Sequence, residues 1–164
     1  MIFIGIDPGL DGAIAAVDAN RTFAAVFDMP VLELKDGRKK KRTLDLRSLL
    51  KILTDLTAEE DCHAFIELVH SMPRQGVRSM FTMGEGYGAL KMALTALRIP
   101  FEEITPQRWK KMLLYGTMKD KDASRSKAQQ LFPSMSLSRK KDHGRADALL
   151  IAEFGRRQFL GEAK

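Results

Sequence analysis

The sequence predicts an α/β domain built on a five-stranded mixed sheet flanked by helices and closed by a long C-terminal helix. Three observations carry that expectation. Short apolar runs separated by turn residues fill the first 29 positions, strand runs then alternate with helical patterns, and one helical pattern occupies most of the last 25 residues. The 164 residues suffice for a single domain spanning 1–164, but not for two lobes with a cleft between them, which argues against a two-lobed kinase.

Each element follows in order. Ile2 to Ile6 is apolar and β-branched and ends in Asp7-Pro8-Gly9, where proline and glycine enforce a turn, so a strand delivers Asp7 to its carboxyl end. Residues 12 to 17 and 22 to 29 continue as two strands around the turn Asp18-Ala19-Asn20, making a meander of three. The run Asp36-Gly37-Arg38-Lys39-Lys40-Lys41-Arg42 reads as a basic loop that cannot pack and must be solvated or bound. Thr43 or Asp45 caps a helix that continues through about Leu56, with Leu46, Leu49, Leu50 and Leu53 at helical spacing. His63 to Ile66 is a buried fourth strand ending at Glu67. Val77 to Leu97 is a long helix whose first half is interrupted by Gly84, Gly86 and Gly88, which permit close approach of another backbone. Phe101 to Ile104 is the fifth strand, Thr105-Pro106 opens a short helix around Trp109, and Asp122 to Phe132 is a further helix stopped by Pro133. The last helix begins near Asp142 and runs to about Phe159.

Composition narrows the chemistry. With 45% hydrophobic and 29% charged residues the chain is globular in type, and no apolar run approaches the roughly 20 residues of a bilayer span. A net charge of +6 points towards a polyanionic partner. The single Cys62 excludes an internal disulfide and a cysteine-rich zinc site and suits a reducing compartment. Met1 leads straight into a strand with no secretory signal, so the cytoplasm is the expected location.

Carboxylates stand at the ends of these elements. Asp7 and Glu67 each follow an apolar strand, where a half-buried charge is costly unless a cation compensates it. Asp142 and Asp147 flank the start of the last helix. Five positions apart on a regular helix, they would point about 140° away from each other. They converge only if Asp142 is the N-cap; His143, four residues from Asp147 on the same face, is the rival ligand. Oxygen-rich ligation suits Mg²⁺ or Mn²⁺, and two such ions serve phosphodiester hydrolysis. Local acids inside a basic surround are what a nuclease needs. His63 and His70 read as packing or surface residues, and Trp109, beside Arg108, Lys110 and Lys111, as core filler. Met80, Phe81 and Met83 are candidates for a subunit interface.

Ile4-Gly5-Ile6-Asp7-Pro8-Gly9, Phe65-Ile66-Glu67 and Ala146-Asp147-Ala148-Leu149-Leu150-Ile151-Ala152 resemble, in order and interval, the three acidic motifs of the RuvC-like Holliday junction resolvases. The resemblance implies a ribonuclease H-like fold, a homodimer, two divalent ions per site, and symmetric paired nicks across a four-way DNA junction. Pro73-Arg74-Gln75-Gly76, Gly86-Tyr87-Gly88, Lys121-Asp122-Ala123-Ser124-Arg125, Leu131-Phe132-Pro133 and Lys140-Lys141-Asp142-His143-Gly144-Arg145-Ala146 are similar to blocks of the chloroplast-type resolvases and their phage and bacterial relatives. In the bacterial pattern the last two ligands stand three apart, where Gly144 lies here. The chloroplast-type pattern, with acids five apart, carries the role to Asp142, with His143 as the alternative. The same resemblance assigns Asp7, Glu67, Asp142 and Asp147 as ligands and Lys121 as an aid to phosphate chemistry. It also implies a junction-entering loop around His70 to Ser79, with Arg74, Gln75, Gly76 and Arg78 on the DNA. Lys39, Lys40, Lys41, Arg125, Lys140 and Lys141 complete the expected DNA surface. The rival functions are a junction-binding scaffold without catalysis and an RNA-processing nuclease on the same fold.

Overall fold

The computed structural model describes residues 1–36, 39–58, 60–71, 74–116, 122–139 and 141–162, the side chains of 36, 39 and 40 excepted. Lys121 and Lys140, both expected at the site, lie outside the described residues. The main sheet takes its first three strands from the meander, β1 (Ile2–Asp7), β2 (Ala13–Asp18) and β3 (Ala24–Asp28). The basic segment departs from expectation. It is half of a separate two-stranded sheet, β4 (Val31–Asp36) with β5 (Lys39–Leu44). The register sets Glu33 opposite Arg42, and Leu44 at the end of β5 reaches the core beside Met29, so the hairpin is anchored at its base without a core of its own. α1 (Leu46–Leu56), capped by Asp45, precedes β6 (Cys62–Glu67), followed by α2 (Val77–Ala96), β7 (Phe101–Ile104), α3 (Pro106–Leu113), α4 (Ala123–Leu131) and α5 (His143–Phe159). No helix among the described residues is long and apolar enough to cross a membrane.

Strand order is β3-β2-β1-β6-β7, antiparallel through the meander and parallel from β1 to β7. The five-stranded mixed sheet is thus as expected. Side chains alternate across it with period two. Ile2, Ile4, Ile6, Ala64 and Ile66 meet the leucines of α1 and α2 on one face, while Phe3, Ala13, Ala15 and Phe65 meet α5 on the other. α5 lies so close to β1 that a Cβ at Gly5 would sit 2.2 Å from the Ala148 carbonyl oxygen, so only glycine fits there. The glycines in the first half of α2 behave differently from expectation: among the described residues nothing outside the helix's own turns comes within 4 Å of a Cβ placed at Gly84, Gly86 or Gly88.

Candidate metal centre and nucleic-acid interface

The sheet register brings the first two acids together. Ile6 pairs with Ile66 across the parallel β1–β6 ladder, so Asp7 and Glu67 are the next residues on neighbouring strands, and strands lie roughly 4.8 Å apart. By alternation both fall on the same face as Phe3 and Phe65, the face that α5 covers. Asp147 precedes Ala148, whose carbonyl faces Gly5 of β1, and its charge acts on both Asp7 and Glu67.

Electrostatics report the same juxtaposition. Burial, followed by repulsion from Glu67 and then Asp147, pushes the Asp7 carboxyl up to about 7. Glu67 is raised by burial, which outweighs the hydrogen bond it accepts from Trp109, and is raised further by Asp147. Asp147 is raised by burial, against a hydrogen bond from Ser124 and the positive influence of Lys110 and His143. Its Oδ1 is buried with no hydrogen-bond partner. Buried polar atoms are ordinarily satisfied, so this oxygen marks a place where an electropositive group belongs. Among the described residues no three His, Cys, Asp or Glu side chains converge tightly enough to clasp an ion as they stand. The donor set itself is three carboxylates with too little neighbouring positive charge and one orphaned oxygen, and it fits a hard divalent cation.

Asp142 has different partners. It is the N-cap of α5 as expected, and it is fully buried. Its Oδ2 accepts the Arg139 backbone N–H at 2.7 Å and its Oδ1 accepts Arg139 Nε at 2.7 Å. Burial would raise its pKa, but the Arg139 bonds, with Arg145, hold it below the ordinary carboxylate value. Both of its oxygens thus serve the arginines. His143, exposed on the first turn of α5, is the group whose charge reaches Asp147. Gly144 stands where the bacterial pattern has a ligand because a Cβ there would lie 2.4 Å from the Asp11 carbonyl oxygen.

Three residues act on the acids in ways that the sequence does not announce. Trp109 is fully buried, as expected of core filler, but its Nε1 also donates to Glu67 Oε1 at 2.9 Å. Lys110 lowers the pKa of Asp7, Glu67 and Asp147 alike, and Ser124 donates to Asp147. The available signal was the Trp-Lys pair on a short helix following β7, whose start lies beside Glu67. The neighbouring lysines and arginine hid which cation faced inward.

The basic surface divides between two open clefts beside the Asp7 turn. One is lined by Lys41, Arg42, Arg78 and Ser79 with Pro8 and Asp11; the other by Arg42, Lys141, His143 and Asp28. Arg42 ties the hairpin to the turn through the Leu10 carbonyl at 2.8 Å and Asp11 at 2.9 Å. Lys39 and Lys40 lie on β5. Arg74, Gln75 and Gly76 are exposed ahead of α2, with Gly76 its N-cap and Arg74 at φ 69°, a left-handed conformation unusual for arginine. Arg125 sits on α4, paired with Asp122 at 3.0 Å.

No protein-family model matches the chain. The chloroplastic Holliday junction resolvase MOC1 of Chlamydomonas reinhardtii is 31% identical over 155 residues, an alignment that takes in 82% of this chain and 18% of that protein. The chain therefore spans about a fifth of the length of this curated relative. Thermus thermophilus RuvC superposes with a TM-score of 0.60 at 17% identity, covering 100% of this chain and 99% of that one. The same protein in complex with a Holliday junction substrate superposes with a TM-score of 0.65, at 17% identity and 100% and 98% coverage. The chain therefore has the ribonuclease H-like fold of RuvC, and over most of its own length it is similar in sequence to a chloroplastic Holliday junction resolvase.

Proposed function

We propose that the protein is a structure-selective endodeoxyribonuclease that resolves four-way DNA junctions by paired symmetric nicks. The observation that carries this reading is the trio of buried carboxylates Asp7, Glu67 and Asp147. They come from three distant segments, repel one another on one sheet face, and leave Asp147 Oδ1 unpaired. Asp7, Glu67 and Asp147 would hold Mg²⁺ or Mn²⁺, two ions per site, with His143 rather than Asp142 as the fourth group. When bound, such ions polarise the phosphodiester and supply a nucleophilic hydroxide from water.

The chain's own residues do the rest. Trp109 fixes the orientation of Glu67 through its N–H. Lys110 adds positive charge beside all three acids, where negative charge grows on the scissile phosphate. Lys41, Arg42, Arg78 and Lys141 flank the site for phosphates of the junction arms. Lys39, Lys40 and Arg125 extend that surface, Lys140 belongs to it by resemblance, Lys121 by the same resemblance aids the phosphate chemistry, and Arg74, Gln75 and Gly76 enter the junction centre. A homodimer matches its two sites to two strands of like polarity. Phe81 and Met83, exposed on α2, suit that contact. The compartment is one that holds recombining DNA, a bacterial or phage-infected cytoplasm or an organelle.

The test is cleavage of a mobile four-way junction, a linear duplex and a structured RNA with Mg²⁺. The junction should be cut in preference, and Glu67→Gln should lose at least about 10³-fold in rate, the several kcal/mol that bound ions contribute. Equal cutting by both forms would take Glu67 out of the chemistry. Preference for the RNA would overturn the substrate assignment.

A further inference from the structure

The first turn of α5 is held by a closed ion-pair cluster that the cleavage chemistry does not use. Arg139 donates through its backbone N–H and Nε to Asp142, and its Nη2 reaches Asp28 at 3.2 Å. Arg145 Nε also bonds to Asp28 and lies 3.9 Å from Asp142. Two acids and two bases alternate, so the buried Asp142 charge is neutralised and the cluster bridges three segments: the end of β3, the loop before α5, and α5 itself. Asp142 also accepts the Ala146 N–H at 3.0 Å as the first bond of the helix. The second anchor is steric, since Gly144 rests against the Asp11–Gly12 backbone. Met29 donates to the Gly12 carbonyl at 2.9 Å, tying the end of β3 to that same turn.

We infer that Asp28, Arg139, Asp142 and Arg145 form a positioning device that sets the first turn of α5 against the Asp7 turn, and so fixes where His143 and Asp147 stand relative to Asp7 and Glu67. The inference rests on the acid trio being the cleavage centre. Asp28 is the discriminating member: it lies on the sheet edge, its side chain is 49% exposed, and no reading makes it a ligand. Its replacement leaves the ligands untouched and loosens their mount.

The experiment compares Asp28→Asn, Asp142→Asn and Asp147→Asn in the full chain by three readouts: titration with Mn²⁺ alone, the His143 imidazole resonances, and steady-state junction cleavage. Asp28→Asn should bind Mn²⁺ with wild-type stoichiometry, shift the His143 resonances, and lower kcat about tenfold without raising KM, the signature of a misplaced site rather than weakened binding. Asp142→Asn should behave alike, and the double variant should be no worse than the poorer single, because both break one network. Asp147→Asn alone should lose Mn²⁺. Wild-type resonances and kcat in Asp28→Asn would overturn the inference, as would loss of Mn²⁺ in Asp142→Asn. If the wild-type protein neither binds nor cuts a junction, the resolvase reading fails, while the resonances and the Mn²⁺ titration still decide the positioning claim.

Discussion

Two clusters of carboxylates, both at the N-terminal end of α5, are built from the same residue type and end in opposite electrostatic states. At the sheet face, Asp7, Glu67 and Asp147 are raised by burial and by one another, with Lys110 as the cation common to all three. At the sheet edge, Asp28 and Asp142 are held low by Arg139 and Arg145. Burial alone therefore does not mark a functional acid. Asp142 has no solvent-accessible surface and both of its carboxylate oxygens are bonded, whereas Asp147 Oδ1 is buried without a partner. An acid left short of positive charge by its own chain is one waiting for a ligand, whereas a neutralised one is part of the frame.

The same Asp→Asn change should accordingly act with opposite sign in the two clusters. For Asp7 the folded state favours the protonated form. Stability of the ion-free protein therefore falls as pH rises from about 4 to about 7, the window between the ordinary and the raised value. Asp7→Asn removes that penalty and should stabilise the protein in chelator at pH 8 by up to about 4 kcal/mol, three pKa units at 1.36 kcal/mol each. Thermal melts across pH 4 to 8 check this, and a flat wild-type profile would erase the contrast. For Asp142 the folded state favours the ionised form, so its contribution is present above its ordinary pKa and fades as pH falls through that range. Asp142→Asn should destabilise by about 2 kcal/mol at neutral pH, the worth of charge-assisted hydrogen bonds, seen as a lower denaturant midpoint.

Smaller effects sharpen the contrast from the cation side. Lys110→Met leaves the trio without its shared positive neighbour. It should cut the cleavage rate about 30-fold and move the acidic limb of the pH–rate profile to higher pH, because the lysine lowers all three carboxyls. A profile that keeps its position would assign the lysine to binding alone. Lys41→Ala is the mildest: junction affinity should drop a few-fold and the slope of log affinity against log salt should shrink by about one. An unchanged slope would place Lys41 off the DNA.

Much of this was legible in the chain itself. Strand-end acids were readable because an apolar run followed by Asp7-Pro8-Gly9, or by Glu67, places a carboxylate at a predictable spot. The meander and α5 were readable because their hydrophobic periods are uninterrupted. The basic hairpin departs from the expected loop because its strands form a sheet separate from the main one and, Leu44 apart, show no run of buried residues to announce them. Trp109 was read correctly as buried but not as the donor to Glu67, because a hydrogen bond across 42 residues has no local signature.

The order of residues by itself determined the five strands of the main sheet and its helices, the positions of Asp7 and Glu67 at strand ends and of Asp147 near the start of the last helix, and the surplus of positive charge, all of which follow from periodicity, turn chemistry and composition. Only the tertiary structure decided which acids share a neighbourhood. The β1–β6 register and the packing of α5 on Gly5 bring Asp147 to Asp7 and Glu67, whereas Arg139, which also reaches Asp28 from the far end of the chain, takes up the Asp142 carboxylate. The physical reason is that a carboxylate's state depends on the sign and distance of its neighbours in space, and sequence separation carries no such distance.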